Sequence, residues 1–285
     1  MNVQSSDILN LVYTDLRITA KILIIVVVFM SIIEFIEQKY SYKIKSAVTN
    51  RPTLQIVLAS FLGAIPGCID AFLIVSLYIH GKVGFGALTA VMLSTAGDEA
   101  FIMLTLIPDA TLKILIATIF FGIIGGLIAE KIGHQFNLKL DQSCEFEISR
   151  TNLDNGFFKE HIINHIILGH APRLFLWIFI PLTLIDILLL NVDFSSMISN
   201  LPIMLLIFFA SILGIIPESG PHLVFVILYS RGLIPFSVLL VSTLSQDGHG
   251  LLPLLSHSFK DTMYVQLFTT IFSLTIGILL INFGI

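Results

Sequence analysis

Apolar stretches long enough to matter to a lipid bilayer recur along nearly the whole chain, as in Ile22 to Ile33, Leu112 to Ala129, Leu174 to Ile185 and Leu267 to Ile281. With its flanking residues each comes near the ~20 residues that a membrane-spanning helix needs. Such segments must be helical, because lipid offers no partner to a free backbone N–H or C=O. Composition closes off the soluble alternative. Of 285 residues, 56% are hydrophobic and 12% are charged, roughly half the charged fraction of an ordinary soluble domain. The expected class is therefore all-α, a polytopic integral membrane protein.

The first 16 residues carry Asp7 and Asp15, with no basic n-region and no small-residue cleavage site, so the first apolar segment is expected to stay in the mature protein. A net charge of -4 and the lack of a basic patch offer nothing to nucleic acid. The two cysteines are Cys68 in an apolar stretch and Cys144 in a polar one. They are too few and too separate for a disulfide framework or a CxxC metal site.

The chain also repeats itself. Residues 59 to 104 align without a gap on residues 210 to 255 at a constant offset of 151, with sixteen identities in 46 positions, where roughly 4 would arise by chance. Matched residues include Gly63/Gly214, Pro66/Pro217, Tyr78/Tyr229, Gly81/Gly232, Phe85/Phe236, Ser94/Ser245 and Gly97/Gly248. Glycine and proline matches weigh most, since they mark constrained backbone. Each half reads as a leading helix (17 to 37; 173 to 191) and a segment broken at a proline (53 to 80; 200 to 230). A segment interrupted at Ser-x-x-Gly (84 to 108; 235 to 257) and a closing helix (112 to 133; 263 to 283) follow. This divides the chain into a first transmembrane repeat (1 to 133), a linker with an interfacial helix (134 to 172) and a second transmembrane repeat (173 to 285). About ten membrane helices and half-helices result.

Pieces of about 13 residues on either side of Pro66 are too short to span comfortably, so they form short tilted helices or a re-entrant hairpin. Either option returns the chain to its starting side. With the N-terminus outside, Lys39, Lys43, Lys45, Arg51, Lys82, Lys131, Lys139, Arg150, Lys159, Arg173 and Lys260 gather inside. Only Arg17, Lys21, Lys113 and Arg231 remain outside, as the positive-inside rule favours. An odd number of crossings per half turns the second repeat upside down. Inverted repeats with broken helices are a secondary-transporter architecture that binds its substrate near the midplane.

Ionisable groups fall at the breaks: Asp70 after Pro66 and Cys68, Asp98 and Glu99 after Ser94-Thr-Ala-Gly, Glu218 and His222 around Ser219, and Asp247 and His249 after Ser245. A carboxylate at bilayer depth costs about 2.5 to 3.5 kcal/mol or more, which demands a partner or a function. Carboxylate oxygen and imidazole nitrogen together suit Mn²⁺, Fe²⁺, Co²⁺ or Zn²⁺. Candidate metal ligands are Asp98, Glu99, Glu218, His222, Asp247 and His249. Cys68, Asp70, Ser94, Ser219 and Ser245 are candidates for the substrate pathway. The competing reading is that these groups pair with one another inside the bundle. Glu34 and Asp186 fit ion pairing, and His161, His165 and His170 fit a wetted interfacial helix. Neither a phosphate loop nor an HExxH pair is present, so ATP-driven transport and intramembrane zinc proteolysis lack support.

Four strings, Gly63-Ala-Ile-Pro-Gly-Cys68, Ser94-Thr-Ala-Gly-Asp-Glu-Ala-Phe101, Pro217-Glu-Ser-Gly-Pro-His-Leu-Val-Phe225 and Gln246-Asp-Gly-His-Gly-Leu-Leu-Pro-Leu254, resemble the ten-transmembrane heavy-metal exporter family. Its members are commonly labelled manganese transporters. The resemblance covers essentially the whole chain and implies a metal permease related to arsenic-type efflux permeases. The expectation is a secondary exporter of a divalent metal ion such as manganese, coupled to protons, in a bacterial-type cytoplasmic (inner) membrane. No cofactor and no enzymatic activity are expected, the metal being cargo. The bilayer, the metal ion and protons are the expected partners, and a homo-oligomer is compatible with the sequence. The alternative is a permease for an arsenical or another small neutral or anionic solute, drawn to the positive ends of half-helices.

Overall fold

Thirteen α-helices and one 3-10 turn account for the ordered backbone among the described residues of this computed structural model, which are 5–47, 51–67, 69–135, 168, 171–191, 194–216, 218–248 and 250–283. In the first half these are α1 (Ser5–Ala47), α2 (Pro52–Gly63), α3 (Ile69–Ile79), α4 (Phe85–Ser94), α5 (Glu99–Leu106) and α6 (Pro108–Gln135). The second half has α7 (Ala171–Asn191), α8 (Phe194–Ser199) and α9 (Ile203–Leu213). After the 3-10 turn (Gly220–His222) come α10 (Leu223–Ser230), α11 (Phe236–Ser245), α12 (Leu251–His257) and α13 (Phe259–Asn282). The segments 53–80, 84–108, 200–230 and 235–257 are all interrupted where proline or Ser-x-x-Gly predicts. Most of the 134–172 linker, with His161, His165, His170 and Cys144, lies outside the described residues.

Helix ends differ from the expectation where hydropathy is a poor guide. The first helix runs from Ser5 to Ala47, beyond the expected 17 to 37. α6 begins at Pro108, not 112, because proline's fixed φ suits the first helical turn. α13 begins at Phe259, not 263, because the Ser258 hydroxyl accepts the Asp261 N–H at 3.2 Å and caps it. Hydropathy marks the lipid-matched part of a helix, whereas caps and prolines set its ends.

The 151-residue offset is copied into the backbone. α2 and α9, α3 and the 3-10/α10 pair, α4 and α11, and α6 and α13 all begin 151 residues apart. Gly81 and Gly232 both adopt left-handed φ, +65° and +69°. Each closes its helix with the same pair of bonds. Gly81 N–H donates to Tyr78 O and Lys82 N–H to Leu77 O, while Gly232 N–H donates to Tyr229 O and Leu233 N–H to Leu228 O. This is a Schellman cap, which needs a residue free to take positive φ. Tyr78 and Phe85 sit 6.4 Å apart between ring centroids, and Tyr229 and Phe236 sit 6.5 Å apart.

Packing within each half follows one plan. α2, α4 and α6 pack together, as do α9, α11 and α13. A Cβ on Gly126 would meet Ile56 and Ala90, and one on Gly277 would meet Ile207 and Val241, the equivalent neighbours 151 residues on. α4 and α11 are buried along their whole length, apart from the half-buried Phe236. α6 and α13 each turn one flank outward, exposing Leu112, Ile116, Phe120, Leu267 and Ile271. An outer surface of large apolar side chains suits lipid, not water. Among the described residues three helical stretches are long and apolar enough to cross a membrane: Phe85–Leu106 taken across its break, Pro108–Gly133 and Phe259–Asn282.

The halves also interlock. α12 packs on α3, α5 on α10, α4 on α11, and α1 on α7. Along α13, Asp261 lies by Tyr78 at the foot of α3, Thr269 touches Asp247 just past the end of α11, and Gly277 abuts the middle of α11 and the first turns of α9. α11 therefore runs against α13. α4 runs with it, from Gly86 beside Glu130 to Leu93, which shares Gly125 with Phe272.

Candidate functional site

Two mid-chain stops create the site. α4 ends because Thr95 turns extended (φ -71°, ψ 128°), and α11 ends because Gln246 does the same (φ -74°, ψ 125°). Two residues further, Gly97 and Gly248 take φ of +48° and +55°, a region costly for any residue with a Cβ. Each helix is thus broken by an extended residue and re-aimed by a glycine before the next short helix starts.

All four breaks meet. Gly67 N–H donates to Gly97 O at 3.3 Å, joining the two breaks of the first half. Gln246 Nε2 donates to Thr95 O at 3.5 Å, joining the halves through repeat-equivalent residues. The Ser219 hydroxyl lies 3.0 Å from where a Cβ on Gly97 would stand and 3.5 Å from one on Gly248. Gly250 leaves room for the Ala71 methyl, which would stand 2.6 Å from its Cβ.

Among the described residues, polar atoms concentrate here without partners. Glu99 is fully buried and neither carboxyl oxygen accepts a hydrogen bond, although Gln246 lies beside it. Gln246 is equally buried, and its Oε1 has no donor. Asp247 accepts from the Thr269 hydroxyl at 3.4 Å through Oδ2 and has nothing on Oδ1. His222 places Nδ1 2.8 Å from Ser242 Oγ, with its Nε2 unbonded and the Leu213 backbone beside the ring. Ser219 Oγ is buried and unbonded as well. A single buried polar atom without a partner costs about 1 to 3 kcal/mol. Five such residues at one meeting of helix breaks form a charged, hydrogen-bond-capable centre inside an otherwise apolar bundle.

The other candidates divide. Asp98 is buried and stands at the N-terminus of α5, immediately before Glu99. Glu218 is half-buried at the start of the link to the 3-10 turn. Ser94 and Ser245 turn their hydroxyls onto helix carbonyls, Ser94 to Ala90 and Val91 and Ser245 to Ala210 and Ser242. There they pack against Gly63 and Gly214. Asp70 lies in the first turn of α3, but its side chain lies outside the described residues, as do Cys68 and His249. Among the described residues no three His, Cys, Asp or Glu side chains gather closely enough to hold a metal ion. Hydroxyl, amide and backbone oxygens stand beside the buried carboxyls at this centre.

Sequence reasoning missed Thr95, Ser242, Gln246 and Thr269. A signal existed for three of them. Thr95 and Gln246 share one repeat position, where both are polar inside an apolar segment. Thr269 belongs to a stripe with Gln266, Ser273 and Gly277, all buried and spaced three or four residues apart on one face of α13. Ser242 carried no such mark.

Comparison with known families agrees with this architecture. A profile of the family described as "Putative, 10TM heavy-metal exporter" matches residues 7–206 and 191–283. No curated protein and no solved structure matches the chain. With the match running over nearly the full length of an all-helical, lipid-facing bundle, the chain belongs to the ten-transmembrane heavy-metal exporter family.

Proposed function

We propose that this chain is a secondary transporter that exports a divalent heavy-metal ion, manganese being the leading substrate, in exchange for protons across a bacterial inner membrane. The observation that carries the reading is the convergence of four helix breaks on Glu99, Asp247, His222, Gln246 and Ser219. Irregular backbone at membrane depth is tolerated where it is buried in protein or lines a site. Two buried carboxyl groups supply the negative charge that a divalent cation requires, and either can take a proton once the ion has left. Asp98, Glu218 and His249 are the further proposed ligands, Asp98 and Glu218 having to close in with the ion because three such side chains do not gather in this arrangement of the described residues, and the amide of Gln246 and the hydroxyls of Ser219 and Thr269 add oxygen donors. The opposed paths of α4 and α11 along α13 support an inverted-repeat mechanism, in which rocking of one half against the other exposes the centre to alternate sides.

The second reading, a permease for an arsenical or another neutral or anionic solute, is favoured by one observation. Among the described residues no three-ligand metal group forms, while Ser219 and Gln246 supply hydroxyl and amide groups. Purified protein in liposomes separates the two readings. Mn²⁺, Zn²⁺, Co²⁺ and Fe²⁺ flux would be followed beside arsenite flux, with a pH dye in the lumen. Divalent-ion flux accompanied by counter-movement of protons, and lost in Glu99→Gln, is the expected result. Arsenite flux alone, insensitive to Glu99→Gln, would overturn the metal reading.

A further inference from the structure

The chain has one tryptophan, and it stands against the polar centre. Trp177 lies in the second turn of α7, half-buried and packed on the apolar core. A Cβ built on Gly220 would stand 2.5 Å from each of three atoms of its pyrrole ring, Cδ2, Cε2 and Nε1. Equal distances to three atoms of one ring put that point over the ring's face, so the indole lies flat against Gly220. Gly220 does not take a positive φ. The ring, and not the backbone angle, is what calls for glycine there.

Gly220 opens the 3-10 turn, and that turn carries a group of the polar centre at each end. Ser219 directly precedes it, with an unbonded Oγ beside Gly97 and Gly248. His222 closes it, fully buried, with Nδ1 2.8 Å from Ser242 Oγ of α11 and Nε2 unbonded. Within the turn His222 N–H donates to Ser219 O at 3.2 Å, and the Ser219 side chain does not cap it. α7 therefore holds the turn through the indole, and α11 holds it through the imidazole.

The first half is built differently at the same place. Ile69 and Ala71 occupy the repeat positions of Gly220 and His222, and α3 begins there directly as an α-helix. The Ala71 methyl fills the space that Gly250 leaves, so that junction is closed by packing. The ring-on-glycine contact thus belongs to the half whose turn carries polar groups. An indole is large and rigid, and a backbone seated on its face has less freedom than one packed on an aliphatic chain with several rotors.

We propose that Trp177 is a positioning residue for the polar centre: seated on Gly220, it sets the 3-10 turn so that the unbonded atoms of Ser219 and His222 face the cargo. This role rests on the reading that a divalent ion binds there. An ion that draws either side chain inward pulls the turn against the indole, so the ring's surroundings change when the centre fills.

The full-length protein, purified in detergent, would be titrated with Mn²⁺ while two quantities are followed. Equilibrium dialysis reads retained metal, and the wavelength of the tryptophan emission peak reads Trp177 alone. A saturable peak shift with the same midpoint as Mn²⁺ retention is expected. In liposomes, Trp177→Leu and Gly220→Ala should each raise the KM for Mn²⁺ flux roughly tenfold, with kcat held within about twofold. Trp177→Phe keeps a flat ring and should stay within about threefold of the parent. Combining Gly220→Ala with Trp177→Leu should leave KM near that of either change alone and well below their product, because the added methyl no longer meets the indole. A lowered Tm with unchanged KM in Trp177→Leu and Gly220→Ala overturns the positioning role, as does a fixed emission peak in protein that retains Mn²⁺. Both results leave the metal reading standing. A parent protein that retains no Mn²⁺ overturns the metal reading and the positioning role together. If Trp177→Leu does not fold, the parent's emission and Gly220→Ala, which opens no cavity, decide the matter.

Discussion

Glu99 and Asp247 carry the sharpest prediction at the level of single residues. Both are buried in the bundle with open carboxyl oxygens, so their charges are maintained at a cost. In a structural ion pair, neutralising one member strands the other and lowers stability first. Among the described residues neither carboxyl has a cationic partner, so Glu99→Gln and Asp247→Asn should leave Tm unchanged or raised while metal flux falls by at least about 100-fold, the loss that follows when a required site charge is removed. Melting curves in detergent read the first quantity and liposome flux the second. Full flux in both variants would remove them from the transport site, and a large loss of Tm would return them to a structural role. In the sequence the pairs Asp98/Glu99 and Asp247/His249 stand out because each lies next to a repeat-matched glycine. The structure adds that Gln246 from the opposite half lies beside Glu99.

Helix contacts in the two halves are equivalent in plan and unequal in tolerance. A Cβ on Gly63 would meet Ser94 Oγ at 2.3 Å and Val91 O at 2.7 Å, whereas one on Gly214 would meet Ser245 O at 2.2 Å and its carbonyl carbon at 2.6 Å. A side-chain hydroxyl can be removed and a backbone carbonyl cannot. Gly63→Ala and Gly214→Ala should each destabilise by about 1 to 3 kcal/mol, with Gly214→Ala the worse. Adding Ser94→Ala should recover part of the first loss, and adding Ser245→Ala should recover none of the second. Equal rescue in both, measured by thermal or denaturant unfolding in detergent, would contradict these packing contacts. Gly232 offers a purer case. Nothing lies within 4 Å of its would-be Cβ, yet its φ is +69°. Gly232→Ala should cost about 1 kcal/mol from backbone strain alone, and Gly232→Asn less, since asparagine visits this region more readily.

Topology belongs to the whole molecule. Eleven basic residues against four predict the linker on the cytoplasmic side, with the N-terminus, the 192 to 200 loop and the C-terminus outside. In a Cys68→Ser background, Cys144 should resist an impermeant thiol reagent added to intact cells and react once the membrane is opened. Ready labelling from outside would reverse the topology and, with it, the inverted arrangement proposed for the two halves.

The membrane class, the positions of the breaks and the 151-residue repeat were all legible in the sequence, because they rest on local physics. Apolar length dictates helices in lipid, and proline and glycine punctuate them wherever the backbone must turn. Repeat-matched glycines marked constrained backbone, which proves to be positive φ at 81, 97, 232 and 248 and close packing at 63 and 214. Which polar residues meet was a different matter. Ser94 and Ser245 looked like pathway residues from their place beside the breaks, yet their hydroxyls are spent on helix carbonyls 3 and 4 residues back or on the neighbouring helix. Gln246 and Thr269 bear no charge and their placement in repeat and stripe did not say what they face, and they flank the buried carboxyls. Asp15 lay in a segment read only for its lack of a signal peptide, and it faces Asp186 from 171 positions away. Side-chain periodicity tells a residue which face of its own helix it occupies, but not which helix lies opposite. That choice is made by the packing of α1 on α7, α3 on α12 and α5 on α10, and only the tertiary structure decides it.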